Sequence, residues 1–98
     1  MTEEEFRGAR LLSALANVIR FRIVLILEEG KSTPAQLAKV LRRTVPRVSH
    51  HLAILRAADV VRFKLIGRRH TYWLKEPGTA KLCRQAVRVA KRMKAGAY

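Results

Sequence analysis

The sequence predicts a mainly helical domain with one small β-hairpin, and three observations predict it. Apolar residues recur at three- and four-residue steps, each run preceded by a capping residue, from the N-terminus to about residue 58. Between residues 61 and 74 the period shortens to two, the repeat of a strand, and beyond Gly78 the helical period returns. The 98 residues suit one domain, 1–98. A hydrophobic content of 49% excludes a disordered basic tail, because that much apolar surface collapses around itself.

Thr2 and Glu5 have the spacing of a capping box, and Glu3, Glu4 and Glu5 place negative charge at the positive end of a helix dipole. A first helix therefore runs to about Ala16. Asn17 caps a second, Val18 to Glu28, with Ile19, Ile23, Ile26 and Leu27 inward and Gly30 as a left-handed exit. Thr33, Pro34 and Gln36 combine a cap, a proline at the first helical position and a capping-box partner. They open a short third helix, Pro34 to about Leu41, with Leu37, Val40 and Leu41 inward.

Thr44 caps a fourth helix. Its inward residues are Val45, Val48, Leu52 and Leu55, which leaves Arg47, Ser49, His50 and Ala53 on other faces. The register of His51 turns it toward the body of the domain as a packing residue, and Pro46 falls in the first turn, where proline is tolerated. Asp59 ends this helix in left-handed geometry, which Asp accepts better than most residues.

Val61, Phe63 and Leu65 then alternate with Arg62 and Lys64, Ile66-Gly67-Arg68-Arg69 makes a turn, and His70 to Leu74 runs back. The result is a hairpin with a basic tip. Tyr72 and Trp73 are neighbours on one strand and point to opposite faces, so only one of them belongs to the core. A last helix, about Gly78 to Ala95, gathers Leu82, Ala86, Val89 and Met93 in a narrow arc with Cys83 and Ala90 beside it. Lys81, Arg84, Arg88, Lys91 and Arg92 lie opposite. That apolar arc needs a partner, either the body of its own domain or the same helix of a second chain, and its breadth leaves room for both.

Charge narrows the function. Lys and Arg number 21 against 7 Asp and Glu, a formal net charge of +14, which points to a polyanionic partner. Helices two to four followed by a basic hairpin form a winged helix-turn-helix: short helix, tight turn, recognition helix, two-stranded wing. An enzyme has no support, since the carboxylates cluster at the N-terminus as helix caps and no nucleophile and base sit near a Gly-rich loop. The longest apolar run, Ile23 to Leu27, is far too short for a transmembrane helix, so no membrane partner is expected. The opening Met-Thr-Glu-Glu-Glu lacks the basic start of a secretory signal, so a cytoplasmic, nucleoid-associated location is expected.

Three blocks in register carry a family resemblance. Leu15-Ala16-Asn17-Val18-Ile19-Arg20-Phe21-Arg22-Ile23 resembles the opening signature of the arsenical-resistance-repressor (ArsR) family, and Val48-Ser49-His50-His51-Leu52-Ala53-Ile54-Leu55-Arg56 resembles its recognition helix. Val60-Val61-Arg62 and Gly67-Arg68-Arg69-His70-Thr71-Tyr72-Trp73-Leu74 are similar to its wing. The resemblance implies a homodimeric transcriptional regulator, usually a repressor, that binds an imperfect palindrome of double-stranded DNA. It also implies dimerisation through the first helix (1–16), here Leu11 and Leu12, and the last (78–95), here Leu82, Ala86, Val89, Ala90 and Met93, around a core and wing at 17–75. The start of the fourth helix would enter the major groove, so Thr44, Pro46, Arg47, Ser49 and His50 stand where the family touches DNA. Phosphate contacts are expected from Arg42, Arg43, Lys64, Arg68 and Arg69.

Departures from the family pattern matter too. Arg42-Arg43 replaces the glycine that many members carry before the recognition helix, and Val45 and Pro46 stand where small polar or amide side chains are common. The family is best known for metal sensing through thiolates near the third helix or Asp and His on the last. Residues 34–40 contain no Cys and residues 78–98 neither Asp nor His. Three scattered His and a lone Cys83 do not make a metal cluster, so no metal or cofactor is expected, and any effector would act through an unfamiliar site or through Cys83. Cys83 is a buried, inert thiol or, if the last helices pair across a two-fold axis, a redox-active one able to form an intersubunit disulfide. A sequence-tolerant architectural protein that coats DNA mainly through charge is the alternative to a site-specific regulator.

Overall fold

The computed structural model describes residues 1–93, in which the chain runs α1 (Glu3–Leu15), α2 (Val18–Glu29), α3 (Pro34–Leu41), α4 (Val45–Ala57), β1 (Val61–Ile66), β2 (Arg69–Leu74) and α5 (Gly78–Arg92). Each of the first four helices starts where a side chain satisfies free backbone N–H groups. Thr2 and Thr33 accept from the N–H of Glu5 and Gln36 and complete capping boxes, Asn17 accepts from Ile19 and Arg20, and Thr44 accepts from Arg47. The expected end of the last helix at Ala95 lies outside the described residues.

Helix α2 is the hub. Its Ile23, Val24 and Leu27 meet Leu37 and Leu41 of α3, Val48, Leu52 and Leu55 of α4, Val60 and Val61, and Ala80 and Cys83 of α5 in one buried cluster. The strands pair antiparallel with Val61 opposite Leu74 and Ile66 opposite Arg69, leaving the two-residue turn Gly67-Arg68. Both turn residues have positive φ, 56° and 69°, the backbone that a tight hairpin requires and that glycine adopts without strain. A feature invisible in the sequence anchors this hairpin: Ser32, between α2 and α3, exchanges both backbone hydrogen bonds with Tyr72, at 3.1 and 2.8 Å. The wing is thereby fastened to the helical body along β2.

Several expectations are corrected. Val40 is 58% exposed, and Ala38 takes its place in the core, because the short α3 presents Leu37, Ala38 and Leu41 to α4. Gly30 leaves α2 at φ 156°, ψ 171°, positive-φ backbone that favours glycine but lies outside the left-handed helical region, because the chain runs straight into the Ser32 bridge. Val45 is largely exposed, since the first turn of α4 projects beyond the α3 contact, and Leu65 is exposed because the hairpin tip extends past the body. Ile19 and Ile26 are only half-buried, and Val24 is the residue of α2 that fills the core beside Ile23. Asp59 does adopt the left-handed turn, at φ 66°, after a C-cap at Ala58.

Candidate nucleic-acid interface

The start of α4 is held out from the body by what lies behind it. Val48, Leu52 and Leu55 are fully buried, so Arg47, Ser49, His50 and Ala53 face outward, as the spacing predicts. His51 fixes the rotation of the helix: its Nδ1 accepts a hydrogen bond from Nη1 of Arg20 at 3.1 Å. Arg20 in turn donates from Nε to the carbonyl of Ala14 at 2.6 Å, which links α1, α2 and α4 through one guanidinium. Accepting at Nδ1 places the proton of the neutral ring on Nε2. Burial, then the charges of Arg20, His50 and Arg47, lowers the His51 pKa below its ordinary 6.5, so the accepting ring is the favoured form.

The turn before α4 is made without glycine. Arg42 sits at φ 55°, ψ 49°, left-handed backbone that costs a side-chain-bearing residue, and its N–H closes α3 on the carbonyls of Ala38 and Lys39. Arg43 folds back so that Nη1 donates to the carbonyls of Leu41 and Arg42, at 3.3 and 3.1 Å. Among the described residues the Arg42 guanidinium makes no hydrogen bond, whereas one nitrogen of Arg43 is already committed to capping α3. Thr44, exposed, spends its hydroxyl on the N-cap bond to Arg47 N–H at 3.3 Å.

The hairpin separates two faces. One carries Phe63, stacked edge-on against His70 at 4.8 Å and tilted against Tyr72 at 5.1 Å, with the guanidinium of Arg56 at 4.5 Å over the Phe63 ring. Arg56 thus joins the end of α4 to the wing, a contact the sequence reading did not single out. Spacing alone could have suggested it, since Arg56 lies in the last turn before the strand that carries Phe63. Tyr72 is the aromatic that packs on the core; Trp73 lies on the other face under Lys31, 5.4 Å from its ring. That second face bears Arg62, Lys64 and Arg69, and Arg68 projects from the tip, all exposed.

Of the residues expected at a subunit interface, Leu11 is half-buried against its own core, while Leu12, Leu82, Ala86, Val89, Ala90 and Met93 are exposed. Cys83, one residue from Leu82, turns the other way. It is 1% exposed in the core, where burial raises the thiol pKa and makes an inert packing side chain of it in the single chain. An open groove of about 1340 Å³ runs between α1, the end of α4 and the start of α5, and Phe6, Leu11, Arg20, Ile54 and Thr79 are among its lining residues. No helix among the described residues is long and apolar enough to cross a membrane.

Residues 17–62, spanning the cap of α2 to the start of the wing, match the family described as bacterial regulatory protein, arsR family. The chain is 40% identical over 80 residues to the HTH-type transcriptional repressor SmtB of Mycobacterium tuberculosis, covering 82% of this chain and 59% of that protein. It is 38% identical over 81 residues to the HTH-type transcriptional regulator CmtR of Mycobacterium bovis, covering 83% and 69%. The chain belongs to the arsR family of bacterial regulatory proteins. It spans less than two thirds of the length of SmtB. Its fold is that of the winged helix-turn-helix members. The homodimeric DNA-binding domain of Mb0332 from Mycobacterium bovis superposes with a TM-score of 0.80 at 23% identity, covering 95% of this chain and 90% of that one. In arsR-family terms α3 and α4 are the helix-turn-helix, and β1 and β2 are the wing.

Proposed function

We propose that this arsR-family chain is a homodimeric transcriptional regulator, acting as a repressor, that binds a palindromic site in double-stranded DNA. The observation that carries the reading is the outward face of α4: Arg47, Ser49 and His50 stand exposed on a helix whose opposite face is locked into the core, in a chain of net charge +14. A rigid helix with exposed polar and basic side chains at its start suits the major groove, where base edges are read. Pro46 and Thr44 complete that end, with Arg42, Arg43, Lys64, Arg68 and Arg69 placed to meet phosphates.

Two-fold pairing is supported by the apolar side chains the single chain leaves uncovered, Leu12 on α1 and Leu82, Val89 and Met93 on α5. The homodimeric state of the Mb0332 domain agrees with it. Recognition helices about 34 Å apart would then meet successive major grooves. Metal sensing of the thiolate or Asp/His kind does not fit the donors present. Helix α3 offers no Cys, α5 offers only the buried Cys83, and no three His, Cys, Asp or Glu side chains come together among the described residues.

Selection from a random duplex pool, then titration of the winner against scrambled duplex at about 150 mM salt, tests the reading. A palindromic winner bound at least about a thousandfold tighter than scrambled DNA is expected. The architectural alternative draws on the excess charge and on apolar Val45 and Pro46 at the reading end of α4. It predicts no enriched motif and an affinity that falls steeply with salt for every duplex.

A further inference from the structure

Helix α5 presents a second cationic surface, one that the interface on α4 and the wing does not use. Its residues Gly78–Arg92 include Lys81, Arg84, Arg88, Lys91 and Arg92 and no carboxylate. At 3.6 residues per turn these five fall in one arc, turned about 120° from the buried Thr79, Ala80 and Cys83 and about 140° from Leu82, Ala86, Val89 and Met93. One helix thus has three sectors: one for its own core, one for a second copy, and one that neither covers. All five cations are exposed. Arg84 pairs with Glu28 of α2, and among the described residues the other four make no ion pair.

The two cationic surfaces belong to helices that pack on one core through separate residues. Val48, Leu52 and Leu55 seat α4 on it, and Ala80 and Cys83 seat α5 on it, so the exposed arcs of both helices point away from a shared interior. The α5 stripe is about 16 Å long from Lys81 to Arg92. It carries no aromatic side chain on which an unpaired base could stack, which favours the phosphates of a duplex over a single strand. Pairing of Leu82, Val89 and Met93 across a two-fold axis would set two such stripes side by side.

We propose that this face of α5 binds the phosphate backbone of a second DNA duplex, so that the dimer holds two duplexes at once. The proposal rests on the reading that α4 and the wing bind the first. The test immobilises a duplex carrying the selected site, loads the full chain, and then offers a fluorescent duplex of unrelated sequence. The wild type is expected to retain the second duplex. The variant Arg88→Glu/Lys91→Glu/Arg92→Glu is expected to retain at least about tenfold less while binding the first duplex with an unchanged salt slope. Retained binding of the first duplex shows that the variant is folded, and Arg88→Lys/Arg92→Lys is expected to capture as the wild type does. Equal capture by the Glu variant, a flattened salt slope for its first duplex, or no capture by wild type already bound to its first duplex overturns the proposal. Failure of the wild type to bind the first duplex is seen before the second is added, and removes both readings.

Discussion

Helix α4 buries Val48, His51, Leu52 and Leu55 and packs against α1, α2, α3 and β1. Helix α5, two residues longer, buries only Thr79, Ala80 and Cys83, all in its first two turns, and rests chiefly on α2. Both are basic and both are amphipathic. The difference lies in how much of each apolar stripe the protomer itself covers. A helix enclosed by four neighbours has little apolar surface left to expose beyond its first turn, and packing fixes its rotation. A helix that leaves the body after two turns carries its apolar stripe, here Leu82, Val89 and Met93, into solvent until another surface meets it.

The sharpest way to break this contrast is truncation in each helix. Leu52→Ala in α4 is expected to lower unfolding stability by about 2–5 kcal/mol, because it opens a cavity at a fully buried site. Leu82→Ala in α5, measured by denaturant titration at a dilution that keeps the chain monomeric, is expected to change it by less than about 0.5 kcal/mol. Equal losses would mean that α5 is as deeply seated as α4.

The complementary experiment charges the α5 stripe. Leu82→Glu/Val89→Glu is expected to weaken self-association by about 1.4–2.7 kcal/mol, a tenfold to hundredfold rise in dissociation constant by sedimentation velocity. Unchanged self-association would place the interface elsewhere.

The rotation of α4 is probed through His51. Its folded pKa lies below the unfolded value of 6.5, so its contribution to stability is fully present above 6.5 and is lost as pH falls through the folded pKa. In the unfolded chain the ring takes up a proton before it does in the fold, where Arg20 donates to Nδ1. Thermal unfolding between pH 7.5 and 5 should show wild type losing stability with acid and His51→Gln losing less. Parallel curves would show that the ring is not held neutral. At pH 7.5 the same variant should be weaker by about 1 kcal/mol through loss of the Arg20 bond.

The smallest effect is a gain. Arg42→Gly relieves left-handed backbone at φ 55° and is expected to add about 0.5–1 kcal/mol of stability. A loss would mean that the side chain of Arg42 contributes more than its backbone costs.

Much of this molecule was legible because its signals are local. A cap such as Thr33 with Gln36, or a shift from period 3.6 to period 2 at Val61, depends on residues within a turn of each other, and backbone hydrogen bonding makes such signals nearly independent of the rest of the fold. The outward face of α4 was legible for the same reason, since one buried stripe fixes which residues face away. Val40 and Val45 show the limit. Apolar and in register, both are exposed, because a helix buries only what its neighbours reach. The anchoring of the wing was not legible either: Ser32 and Tyr72 are forty residues apart, and nothing in their local sequence announces a backbone bridge.

The amino-acid order by itself determined the succession of elements, the excess of positive charge, and the resemblance to the arsR family, each set by composition or by short-range spacing. Only the tertiary structure decided how the stripe on α5 divides between its own core and open solvent, that Cys83 points inward, and that Arg20 joins α1 to α4 through His51. These depend on where distant segments meet, and a helical wheel gives the direction of a side chain without saying what stands there to receive it.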